Sequence, residues 1–138
     1  MRTVGIEGDY PSDRPGLVFG ATEVGDDWSS IRPVLLEAFR LTQKAAIENE
    51  PIVYVIATDD LLGRNGPGSA AVAAGLVSAA RTAGIELAKA GVPLNVLTID
   101  ESVSQEQVQR WVLRLLEGDG PQGEVVHLGP GHLGKALG

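Results

Sequence analysis

Hydroxyl, carboxylate and imidazole groups capable of chemistry fall in three stretches of the sequence. The first is Thr58-Asp59-Asp60, directly after the apolar run Ile52–Ala57. Two carboxylates at the carboxyl end of a strand lie where open α/β sheets place their sites, although an adjacent pair in a loop is more simply a solvated turn. Thr58 could donate a hydrogen bond there, but without a neighbouring base its hydroxyl is not an activated nucleophile. The second stretch is Asp100, at the end of another apolar run. The third is VVHLGPGHLGKALG, in which Gly129, Gly131 and Gly134 form G-x-G-x-x-G around His127 and His132. That spacing would cradle a dinucleotide phosphate only with a helix and second strand after it, so a glycine-rich tail is the simpler expectation. Two histidines make a metal site only with Asp or Glu ligands at unknown positions, and no metal is expected.

Composition narrows the classes further. The chain has 138 residues, no cysteine and a formal net charge of −7. Disulfides, thiol nucleophiles and Cys-ligated metals are excluded, in keeping with a reducing compartment. A pI near 4.7 argues against a phosphate-backbone partner, which would require clustered Lys and Arg; nucleic acid is not expected. The longest apolar run, Ala70–Val77, is short of the roughly 18 residues of a membrane span, and no leader-like segment opens the chain. No membrane association and a cytoplasmic location are the expectation.

The elements that must position these groups alternate between strand and helix. Arg2–Ile6 is a weak strand whose place in a sheet is open, and Leu17–Phe19 is a second short strand. A helix follows to about Glu48, with Ser30 as its cap and Pro33 in its first turn. Ile52–Ala57 is a continuous apolar run, the mark of a strand buried on both faces of a parallel sheet, and Leu94–Ile99 supplies another buried strand. Between them, Ala70–Ala90 shows one narrow polar stripe, Ser78, Arg81, Thr82, Glu86 and Lys89. A helix with so much apolar circumference needs cover on two sides, and Gly75 and Gly84 would admit a neighbouring backbone. Glu101–Glu117 is a further amphipathic helix and Val125–Leu128 the last strand. The expected fold is one α/β domain over residues 1–138: a three-layer, truncated Rossmann-like fold with a mostly parallel sheet of four to five strands, about three main helices and right-handed crossovers.

Four of these pieces, in order, resemble the second half of the short-chain dehydrogenases/reductases. IVYVIAT is similar to that family's strand ending in the catalytic serine, and GLVSAARTAGIELAKAGVPLNVL to its long helix and next strand. DDWSSIRPVLLEAFRLTQKAAI is similar to the preceding helix, and GPQGEVVHLGPG to the closing strand, so the resemblance spans about Gly16 to Gly131. It implies a tyrosine with a lysine four residues on, aided by a serine and an asparagine. Those positions hold Ser69, Ala73, Thr58 and approximately Val34. The tyrosine serves as acid or base with its pKa lowered by the lysine, and neither Ser nor Ala replaces that pair. Tyr10 and Tyr54 are followed four residues later by Arg14 and Thr58, so no displaced copy of the motif exists. The family's Pro-Gly falls at Ile99 and Asp100, its substrate lid is missing, and only about fifteen residues stand where two dinucleotide-binding strand-helix units belong.

The resemblance therefore implies a non-catalytic, truncated subunit that associates with a full-length, active short-chain dehydrogenase, or with itself, and binds no cofactor on its own; NAD(P) would belong to the partner. Family members pair through the two long helices, which here places the interface at Leu35, Phe39, Val72, Leu76, Ala79 and Ala83, with Trp111 and Trp28 as core or interface anchors. The tail GPGHLGKALG could complete a partner's pocket. Two other classes stay open: a minimal oxidoreductase sharing NAD(P) with a partner through Thr58, and a small-molecule binding module around Thr22, Thr58 and Asp100.

Overall fold

In the computed structural model, which describes residues 1–134, the chain forms a Rossmann-like α/β layout around one all-parallel sheet. In chain order the elements are β1 (Arg2–Val4), β2 (Leu17–Gly20), α1 (Trp28–Ile47), β3 (Ile52–Ala57), the short α2 (Thr58–Leu61), α3 (Pro67–Ala88), β4 (Leu94–Ile99), α4 (Gln105–Glu117) and β5 (Val125–Leu128). The strands lie in the order β1-β2-β3-β4-β5. The amino-terminal strand thus takes the edge beside β2, pairing Arg2 with Leu17 and Val4 with Phe19.

β3 and β4 are buried along almost their whole length; β3 is accordingly an unbroken apolar run, and β4 is apolar except for Asn95 and Thr98, both of which are buried and hydrogen-bonded. Successive side chains point to opposite faces. Leu17, Phe19, Ile52, Tyr54, Ile56, Leu94 and Val96 meet Ala38 and Ala45 of α1 and Val72, Ala73, Leu76, Val77 and Ala80 of α3. On the other face Val18, Val53, Val55 and Leu97 meet Val108, Val112, Leu115 and Leu116 of α4, with Ile6 and Tyr10 packed at the margin.

This placement corrects the expectation of uniformly right-handed crossovers. The chain steps across the sheet in one direction throughout, with α1 and α3 on one face and α4 on the other. Direction and face together set the hand of a crossover, so the β4-α4-β5 unit has the opposite hand to the two before it. Uniform hand in this strand order would have left the Val18, Val53, Val55 and Leu97 face without a helix. The apolar area that α4 covers there outweighs the usual preference of the twisted unit.

Element ends also move from where the sequence places them. Asp27, not Ser30, caps α1: its carboxylate accepts from the Ser30 N–H at 2.9 Å. Pro33 consequently lies inside the helix, on an exposed position. α4 begins at Gln105 rather than Glu101, because Ser104 and Gln107 form a reciprocal capping box. α2 occupies the start of a segment that reads as loop. α3 is long and apolar enough, by length and composition alone, to cross a membrane, and 33% of that window is buried within the fold. Its small residues have two uses. Gly84 receives the chain's own backbone, since a Cβ there would sit 2.7 Å from the Gly123 Cα, whereas at Gly75 the nearest neighbour is the Leu35 side chain.

Candidate functional site

The carboxyl ends of β3, β4 and β5 bring Thr58, Asp100 and His127 together, as their positions at strand ends demand. Thr98, which sequence reasoning passed over as an ordinary strand residue, is the fourth member. Its hydroxyl lies 2.8 Å from His127 Nδ1, while that of Thr58 is 3.5 Å away. His127 Nε2 faces the Gly131 carbonyl at 3.0 Å. A carbonyl only accepts, so Nε2 carries a proton, and in the neutral imidazole Nδ1 then accepts from Thr98. The Asp100 carboxylate stands 3.6 Å from Nε2, beyond a hydrogen bond.

Asp100 is the hub of the glycine-rich segment. Its Oδ2 accepts the Gly131 N–H at 2.6 Å, and that bond, aided by the Thr58 hydroxyl and the nearby His127 and Arg64, holds its carboxyl below the usual carboxylate range against the opposing effect of desolvation. A Cβ at Gly129 or Gly131 would collide with this carboxylate. The first two glycines of G-x-G-x-x-G are therefore explained by the approach of the chain's own anion. Lys135–Gly138, the end of the tail expected to complete a partner's pocket, lie outside the described residues.

The neighbouring cleft between β2 and β3 is closed in a similar way. Val24 is buried in the core. Its N–H donates to Ser69 Oγ at 3.2 Å, and the Asp26 carboxylate accepts the Gly68 N–H at 3.0 Å, capping the start of α3. Any side chain at Gly68 would run into the Gly25 carbonyl. Ser69 is thus a staple between a loop and a helix, and Ala73 is 0% exposed in the core. Thr22, on this loop, is exposed.

What stays open at the strand ends is a depression of about 490 Å³ lined by Thr58, Asp59, Arg64, Asp100, Pro130 and His132, among others. Within it Asp59 pairs with Arg64 at 2.8 Å, and beside it the Asp60 carboxylate accepts from the Asn65 amide at 2.7 Å. Thr58 is 2% exposed, and the one imidazole nitrogen able to deprotonate it is taken by Thr98. Among the described residues no group of three His, Cys, Asp or Glu side chains is disposed to hold a metal ion. His132 accepts from the Gly134 N–H.

A different surface is open and apolar. No family model matches the chain, and no curated protein does. A groove of about 600 Å³ runs between α1 and α3, walled by Leu35, Phe39, Ala46, Ala79, Ala83 and Leu87. Its floor holds Leu76 and Tyr54, whose hydroxyl, 2.6 Å from that of Thr42, is satisfied; burial pushes the phenol pKa up, partly offset by this bond. Phe39 is 62% exposed at the rim, and Ile47 and Ile85 are exposed nearby in the sequence of the same helices. Of the expected interface residues, Leu35, Phe39, Ala79 and Ala83 line this groove, Leu76 lies beneath it, and Val72 faces the sheet at 1% exposed. Trp111 is exposed on α4, across the sheet from the groove, while Trp28 stands exposed at the start of α1.

Proposed function

We propose that this chain is a non-catalytic subunit of short-chain-dehydrogenase type that associates through the α1/α3 groove with a full-length, active oxidoreductase of that type and stabilises or shapes it. The observation that carries the reading is the apolar groove itself, with Phe39 exposed on its rim and Ala79 and Ala83 on its wall. Small residues let a partner helix approach closely, and covering a side chain such as Phe39 contributes about 2 kcal/mol. The positions of the family's tyrosine and lysine support the non-catalytic half of the proposal, because Ser69 and Ala73 serve the packing of α3. Cofactor chemistry, with NAD(P), would reside in the partner.

The test is affinity capture of the chain from its native cells, identification of what accompanies it, and a nicotinamide absorbance assay of the complex and of the isolated partner. A near-stoichiometric full-length dehydrogenase, active with or without this chain, is the expected result. Activity found only in the complex would favour the reading in which both chains build one cofactor site. Recovery of the chain alone would overturn the heteromer and leave self-association through the same groove.

A further inference from the structure

The described Lys and Arg residues are unevenly used. Arg64, Lys89, Arg110 and Arg114 form ion pairs, and Arg81 has an interaction of its own. The other five, Arg2, Arg14, Arg32, Arg40 and Lys44, form no ion pair among the described residues, and all five line two adjoining cavities on the outer flank of α1. The larger cavity, about 670 Å³, lies between β1 and α1; the smaller, about 370 Å³, continues along the helix, and Leu41 borders both.

The geometry is that of a slot on an uncovered part of the sheet. Arg2 pairs in register with Leu17 and Val4 with Phe19, so Arg2 and Val4 share the face that α1 and α3 cover further along. α1 sits over β2, leaving β1 open on that side. Arg32, Leu36, Arg40 and Lys44 recur every four residues and make one stripe along α1, with its cations spread over roughly 18 Å. The half-buried Leu36 and Leu41 give the slot its apolar surface, with Leu17 and Ala45 buried beneath it.

From this juxtaposition we propose that the flank of α1 beside β1 docks an acidic amphipathic helix of a partner protein. The cations are spread too far for one small anion, and Leu36 and Leu41 between them take apolar side chains from the same partner helix. Asp13, Glu37, Glu48 and Glu50 border the same cavities, which disfavours a phosphate backbone and requires a partner whose carboxylates are placed, not merely numerous. This surface is separate from the α1/α3 groove and does not depend on it.

The test uses the whole chain and a labelled synthetic helix of about 15 residues, long enough to span the stripe, with leucines on one face and glutamates on the other. A matched peptide with lysines in place of the glutamates is the control. Saturable binding of the acidic peptide alone is expected, weakened about tenfold or more by Arg40→Glu with Lys44→Glu and by raised salt. Circular dichroism of the double variant should match the parent. No binding, equal binding of both peptides, or binding unchanged in the double variant would overturn the proposal. So would binding to anionic phospholipid vesicles or to single-stranded RNA, lost in the double variant, in the absence of peptide binding.

Discussion

At the scale of single residues, the groups that could do chemistry are tied to one another. Asp100 shows this most plainly. Its pKa is lowered, first by the Gly131 N–H and then by Thr58, His127 and Arg64. A carboxyl with a depressed folded pKa contributes stability above its unfolded pKa and loses it as pH falls through the folded value. Protection of the Gly131 amide from exchange should accordingly hold at neutral pH and fade below about pH 4. Asp100→Asn should show reduced protection at all pH values; an Asn variant with unchanged protection would remove Asp100 from its place as hub. Ala73 makes the complementary case. Installing the tyrosine and lysine of the short-chain dehydrogenases with Ser69→Tyr and Ala73→Lys should produce no dehydrogenase activity and should destabilise by about 3 kcal/mol or more, read by chemical denaturation, because a lysine there is overpacked and buried without a partner.

At the scale of elements, the strands and long helices were legible because their signals are local. Ile52–Ala57 is an unbroken apolar run and Leu94–Ile99 a mostly apolar one, each of strand length, and the polar stripe on α3 declares its solvent side. The boundaries were less legible where two capping candidates compete: Asp27 and Ser30 both suit the start of α1, and only the geometry of the Asp27 carboxylate over the Ser30 N–H decides. Ser104 was hidden behind Glu101, which reads equally well as the start of α4. Removing it as Ser104→Ala should cost about 1 kcal/mol in thermal or chemical unfolding, whereas Glu101→Ala should be close to neutral. The site at the strand ends was half legible. Thr58 and Asp100 are marked by position, but the Thr98–His127 contact joins residues 29 apart, and the capping of α3 by Asp26 spans 42. Neither separation leaves a local trace in the sequence. The hand of the β4-α4-β5 crossover was illegible for a related reason: it depends on which sheet face remains bare once α1 and α3 have docked.

At the scale of the whole molecule, the fold narrows its strand-end clefts with its own chain, leaving a polar depression there, and leaves its apolar surface between two helices. Val24–Asp26 and Asp100 with Gly131 hold the polar strand ends together through their own hydrogen bonds. An apolar groove with an exposed Phe39 is suited to another helix, since water contact with such a surface is unfavourable. The central claim is that association occurs at this groove. The most direct measurement is the native mass of the chain purified under mild conditions from its own cells, as wild type and as Phe39→Asp with Ala79→Arg, each checked for fold by circular dichroism. The account predicts a wild-type complex of near-stoichiometric composition with a full-length dehydrogenase, and a folded variant that runs alone. A wild-type chain that runs as a lone monomer, or a variant that assembles as the wild type does, would contradict it.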